Sequence, residues 1–420
     1  MTIVEQQNKD RLPISQFVLS LLALLFTLIA AVGFFAGGSI FNQYLELDEQ
    51  TIRLFYSLGS FSILLSVIHG YSLLTALKKV PISPPSNRRK LSPFNRATAA
   101  FLPLIVFCLL QLLPDVQRLC AAFYPFLTPL AVVIPAWWFV EFGKRNLPAV
   151  SARKISAALS LGSSYTMLFI LLLEIIFVAC ILAAALIYLS SQPSVQQMMK
   201  SFSFPADLTQ IETSFVERYL RTTFQKPLFV LGIFLVLGLV IPLIEESIKP
   251  IALWSLQKRS LKPTDGFILG LYFGAAFALV ESTLAISQTD PQMWVESITL
   301  RAAASLIHIT CTGLVGYGYA ATMKSQKKAA IHRPFLTAIV IHGLWNSLAL
   351  LSSANLIMTT LNITQPLAPI YDILIPSAFA IEWIAILYLL SQMNKSLRHN
   401  SLRLSHNETT DTGVHTNDVE

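Results

Sequence analysis

The feature that most restricts this chain is the recurrence of apolar runs about 20 residues long. Each run is long enough to cross a hydrocarbon core about 30 Å thick as a helix. Ten are predicted, near 16–36, 54–77, 97–114, 119–142, 161–190, 227–254, 265–288, 298–322, 334–352 and 369–391. A bilayer holds no water to satisfy backbone N–H and C=O groups, so such runs fold as helices. The predicted fold class is therefore all-α, a polytopic transmembrane helical bundle of about ten spans. Charge usage agrees: Asp, Glu, Lys and Arg make up 13% of the chain, against about 25% in soluble domains. The first run is too long for the apolar region of a signal peptide and lacks a clear small-residue cleavage site, so it is read as a span.

The segments between spans set an orientation. With the N-terminus inside, the cytoplasmic segments hold 22 of the 30 basic residues, including Lys78, Lys79, Arg88, Arg89, Lys144, Arg145, Lys324 and Arg333. The outer segments hold seven, Arg301 among them, and Lys249 lies within a span. This alternation predicts N-in, C-in topology. The net charge of +7 is thus a membrane-orientation signal, and no nucleic-acid partner is expected. The four cysteines, Cys108, Cys120, Cys180 and Cys311, sit in apolar runs without CxxC spacing, so they read as small hydrophobes. An external segment from Ser191 to Gln225 contains a stretch of helical apolar spacing, 211–220, while Val80–Ser86 is a stiff Pro-rich connector.

Ionisable residues inside the spans are unevenly placed. The stretch Ile241-Pro-Leu-Ile-Glu-Glu-Ser-Ile-Lys249 sets two carboxylates and an ammonium in a nearly apolar run. One charge at a bilayer centre costs about 2.5–3.5 kcal/mol on insertion scales, so three together need a reason. A solvated helix end is the bland reading. Against it, four consecutive spans carry Glu245, Glu246, Lys249, Glu281, His308 and His342. On helices, Lys249 is four residues from Glu245, Glu281 four from Phe277, Thr312 four from His308, and Asn346 four from His342, so each pair shares a face. Taken singly, His308 reads more readily as a satisfied interior polar residue, and Asn346 as helix–helix hydrogen-bond glue. Depths counted from the inner ends at 1.5 Å per residue put Glu245 level with His342, and Glu281 level with His308.

Glu245-Glu246-x-x-Lys249, Phe277-x-x-x-Glu281, His308 and His342-x-x-x-Asn346, in that order on four spans, resemble the four-motif pattern of the PrsW family of glutamic-type intramembrane proteases. That family is related to the CAAX- and bacteriocin-processing membrane proteases; Glu281 stands where the wider group has His. The resemblance covers roughly 227–352. It implies hydrolysis of a membrane-anchored protein substrate, no cofactor and no metal, and a bacterial cytoplasmic membrane. By analogy the substrate is similar to an anti-sigma factor. It implies catalytic roles for Glu245, Glu246, Lys249, Glu281, His308, His342 and Asn346. A carboxylate in a low-dielectric site can serve as a general base or acid near neutral pH. Glu245 or Glu246 would activate water, Lys249 would orient the other carboxylate, His308 and His342 would hold the water or shuttle its proton. Glu281 would position or protonate, and Asn346 would donate to the oxyanion.

The chain then divides into an N-terminal transmembrane region (1–155), a fifth span with external loop (156–226), a four-helix catalytic core (227–352), a last span (353–394) and a disordered cytoplasmic tail (395–420). Two other readings stay open. A zinc-dependent membrane protease can use the same His and Glu residues, although no His-Glu-x-x-His is present. An ion- or proton-coupled transporter also needs intramembrane Glu, Lys and His, and Glu174 and Glu382 have no place in the protease motifs.

Overall fold

The computed structural model describes residues 14–77, 91–193, 196–197, 227–251, 253, 261–325, 329–360 and 368–411. Among them are ten helices long and apolar enough to cross a membrane, and no strand. They are α1 (Ile14–Leu45), α2 (Glu49–Leu77), α3 (Pro93–Leu110), α4 (Pro114–Gly143), α5 (Ala152–Tyr188), α6 (Leu228–Ile251), α7 (Pro263–Ser287), α8 (Pro291–Ser325), α9 (Ala329–Thr360) and α10 (Ala368–Asp411). Each predicted span corresponds to one helix, and the chain is a multi-pass membrane protein. The segment 211–220, the Pro-rich stretch at 80–86 and residues 412–420 lie outside the described residues. One boundary is corrected. The last helix runs on to Asp411, where the sequence predicts a disordered tail from 395. No Gly or Pro interrupts 395–411, so nothing in that polar stretch terminates a helix already started.

Several starts are explicable locally. Ser92 caps α3 by accepting from the Asn95 amide, with Pro93 in the first turn. Ser151 accepts from the Lys154 amide at the head of α5. Asp290 accepts from the Gln292 amide before α8, again ahead of a proline. In each case a side-chain oxygen satisfies one of the amides a helix leaves unpaired, and Pro93 and Pro291 occupy places where no N–H is needed.

The helices form two compact units, and the division falls inside α5, α6, α9 and α10. The first unit holds the residues up to Met167, then Lys249–Ala338, then Trp383 onward. In it α1 pairs with α2 and α7 with α8, while α4 and the start of α5 also pack on α7. This makes α7 the central helix: 83% of its most apolar window is buried, against 22% for α1. The remainder of α1 turns Phe26, Ile29 and Val32 outward, as a lipid-facing surface requires. Gly266, Gly270 and Gly274 recur every fourth residue on α7, where the α8 backbone lies directly against them at Gly316, Thr312 and His308. A Cβ on Gly274 would meet the His308 carbonyl oxygen and lie 2.7 Å from Ile309 Cα. Small residues at this interval let two helices touch along their backbones.

The second unit holds Leu168–Ile248 and Ile339–Glu382. Here α6 contains a π turn, Val236–Val240, followed by the α-helical segment Ile241–Ile248. Its Gly238 lies against α9 at Gly343 and Ser347. Trp345 of α9 stacks edge-on against Phe379 of α10, with ring centroids 4.7 Å apart.

Candidate active site

In the second unit the segment Ile241–Ile248 carries Glu245 and Glu246, and α9 carries His342. All three are buried, at 5%, 0% and 1% exposure. The two nitrogens of one imidazole face the two carboxylates. Nδ1 lies 3.1 Å from Glu246 Oε1, and Nε2 lies 3.8 Å from Glu245 Oε2. The shorter contact is a hydrogen bond donated by Nδ1–H; the longer exceeds hydrogen-bond length. With Nδ1 as donor, a neutral ring presents the Nε2 lone pair toward Glu245. A carboxylate that fixes the tautomer and orientation of a histidine in this way tunes whatever the other nitrogen does.

Two neighbours hold this register. Gly343 follows His342, and a side chain there would collide with the Gly238 carbonyl oxygen, so its absence lets α9 approach α6. One turn on, Asn346 donates to the carbonyl of Leu237 at 3.1 Å. That carbonyl belongs to the π turn, where the regular backbone hydrogen-bond pattern is interrupted.

The first unit holds a second cluster. Lys249 opens the short turn Lys249–Ile251 and is 1% exposed. Its ammonium lies 3.0 Å from His308 Nδ1 and 4.0 Å from the centroid of Phe277. The Phe277 and His308 rings are 4.9 Å apart. His308 Nε2 lies 2.6 Å from Glu281 Oε2, and Arg301 Nη2 lies 2.7 Å from the same oxygen. Arg301 also donates from Nε to Ser282 Oγ at 3.2 Å. An ammonium has only protons to offer, so Nδ1 accepts, and Nε2 carries the ring proton toward the carboxylate. The result is a directed series, Lys249 to His308 to Glu281, with Arg301 as a second cation on that carboxylate.

All seven predicted residues fall in these clusters: Glu245, Glu246, His342 and Asn346 in the second unit, Lys249, Glu281 and His308 in the first. The two pairs expected at equal depth, Glu245 with His342 and Glu281 with His308, are in contact or near it. Asn346 is found bonded to backbone. Arg301 was missed. The sequence reads it as an outer orientation charge, whereas it is ion-paired to Glu281 with its side chain 20% exposed. A signal was available: Arg301 and His308 are seven residues apart, two turns on one helix face.

A comparison with family models bears on the stretch that carries both clusters. Residues 166–371 match the PrsW family intramembrane metalloprotease model. That stretch contains α6 to α9 with every residue of the two clusters. No curated protein and no solved structure matches the chain. Together with ten membrane-length helices, the PrsW match supports an intramembrane protease, a hydrolase working within a multi-pass membrane protein.

Proposed function

We propose that this chain is an endopeptidase that cleaves a membrane-anchored protein using water activated by a glutamate. The observation that carries the reading is the buried imidazole of His342 held by Glu246 at 3.1 Å, with Glu245 at 3.8 Å from its other nitrogen. Glu245 takes a proton from the attacking water. Glu246 positions His342 through Nδ1–H, and Nε2 receives the proton and returns it to the leaving amine. Asn346 acts as a positioning residue through Leu237. To the Lys249, His308, Glu281 and Arg301 series the proposal gives an electrostatic role, as buried cations around one oriented imidazole.

The basic-residue alternation supports N-in, C-in topology. The PrsW match supports a bacterial inner membrane as the setting and, by analogy, a substrate like an anti-sigma factor. The deciding experiment is a survey of membrane-proteome termini in cells carrying the native protein, Glu245→Gln or Glu246→Gln at matched expression. New termini at membrane boundaries that vanish in either variant support the proposal. Identical termini in all three refute it.

The family's description as metalloproteases favours a second reading. Glu245, Glu246 and His342 each offer one ligand atom, all within 4.8 Å of one another. Two carboxylate oxygens and an imidazole nitrogen are ligand types that zinc accepts, so the residues fit such an ion. These three would hold it, and a bound zinc would lower the pKa of its water and polarise the scissile carbonyl. Glu246 would then still orient His342, leaving Nε2 as the ligand atom. Elemental analysis of active protein separates the two readings.

A further inference from the structure

The first unit contains a polar site that the protease reading leaves unused. Its centre is His69 on α2, fully buried at 0% exposure. His69 Nδ1 lies 2.8 Å from Ser160 Oγ on α5. Ser160 and Ser72 lie 3.5 and 2.9 Å from Ser20 on α1, and Gln16 donates to Ser72 at 3.5 Å. One turn further along, Thr75 and Ser156 pair at 2.6 Å, and Arg153 donates from Nε to the Thr75 carbonyl. In the other direction Ser66 donates to Thr27 at 2.9 Å.

Ordinary small-residue packing between membrane helices accounts for hydroxyls at such seams. It does not account for two polar atoms left over. His69 Nε2 and Gln16 Oε1 are buried without a hydrogen-bond partner, and Gln16 is 3% exposed. An orphaned buried polar group costs about 1–3 kcal/mol, and roomy polar sites recover this by holding water. One of these atoms is an acceptor and the other belongs to the side chain best suited to gain and lose a proton.

We propose that α1, α2 and the start of α5 form a proton-carrying site with His69 as the carrier. A hydronium gives its proton to the ring and leaves as water. The imidazolium then donates from Nδ1 to Ser160 Oγ and from Nε2 to water, and Gln16 Oε1 is a further buried acceptor for water in the site. Release to another water is the reverse transfer, and no other bond changes. The partners suit both states because a hydroxyl turns from donor to acceptor by one torsion, and Ser160 and Ser20 are both hydroxyls. The group that His69 meets is the uncharged Ser160 hydroxyl, and Ser20 and Gln16 of α1, further along the same ladder, are uncharged too. Arg153 is the charged side chain at the end of the ladder, and no charged side chain of α4 or α7 is among the described contacts of His69. A metal cation is disfavoured because no carboxylate joins the described cluster to offset its charge.

The test is proton flux in proteoliposomes loaded with a pH-sensitive dye and driven by a potassium diffusion potential. Native protein is expected to acidify the lumen faster than protein-free vesicles, and His69→Ala to fall to the protein-free rate. Ser160→Ala keeps the imidazole but removes its partner, and it decides the matter if His69→Ala fails to insert; its flux is expected to drop. Native flux no greater than that of empty vesicles, or flux unaffected by these substitutions, overturns the proposal. Because the readout is flux and not cleavage, failure here leaves the protease reading untouched.

Discussion

Replacing Gly274 with alanine tests whether the contact between α7 and α8 positions the first cluster. The new Cβ would lie 2.7 Å from Ile309 Cα, whereas ordinary contact begins at 3.4 Å, and the nearer obstacle is the His308 carbonyl oxygen itself. Both are backbone atoms, so no side chain can swing aside. The helices must separate by at least the shortfall, about 0.7 Å. Glu281 lies two turns along α7 from Gly274, and its oxygen is 2.6 Å from His308 Nε2. A separation of this size would carry that contact to the outer limit of hydrogen-bond length. Misplacement by about 1 Å costs on the order of 100-fold in rate, so a loss of about tenfold or more in cleavage is expected. Overpacking is also expected to cost about 1–3 kcal/mol in stability. Gly232→Ala is the control, because nothing lies within 4 Å of a Cβ there. Both proteins would be purified and assayed on a substrate found in the terminus survey, with thermal unfolding in detergent alongside. Native-like cleavage by Gly274→Ala would refute the claim that backbone contact at Gly274 sets the position of His308.

Three further outcomes are expected. Arg301→Ala should lower kcat with little change in KM, and Arg301→Lys should restore part of it; equal loss in both would show that charge on Glu281 is not what matters. Asn346→Ala removes the bond to Leu237 and should cost about 1 kcal/mol of unfolding stability, with an unchanged Tm counting against its positioning role. On the glutamic mechanism, protein freed of metal by a strong chelator and checked by elemental analysis keeps its activity. Loss of activity that zinc restores would instead establish the second reading.

The ten helices were legible because span length is imposed by the bilayer and apolar composition reports it directly. The two histidine–glutamate pairings were legible for a related reason: with spans fixed, depth follows from counting residues. Other features leave no such trace. Arg301 looked like a loop charge because its role depends on α7, not on its own neighbours. The π turn at Val236–Val240 has an apolar sequence no different from α-helix around it. The extension of α10 past Asn394 lies in a polar stretch whose composition alone suggested disorder. Nor does an apolar run reveal that the packing divides inside α5, α6, α9 and α10.

That π turn has a consequence for how the protein can vary. A π turn is in effect an α-helix with one residue too many, and each residue of a helix turns the chain by about 100°. If Val236–Val240 wound instead as plain α-helix with every residue kept, everything after it would rotate by roughly that angle. Glu245 and Glu246 follow within six residues, so both carboxylates would swing off the face that meets His342. The insertion acts as a phase setting for the second half of α6. Substitutions that keep the π turn keep that phase, whereas a return to plain α-helix at the same length loses it.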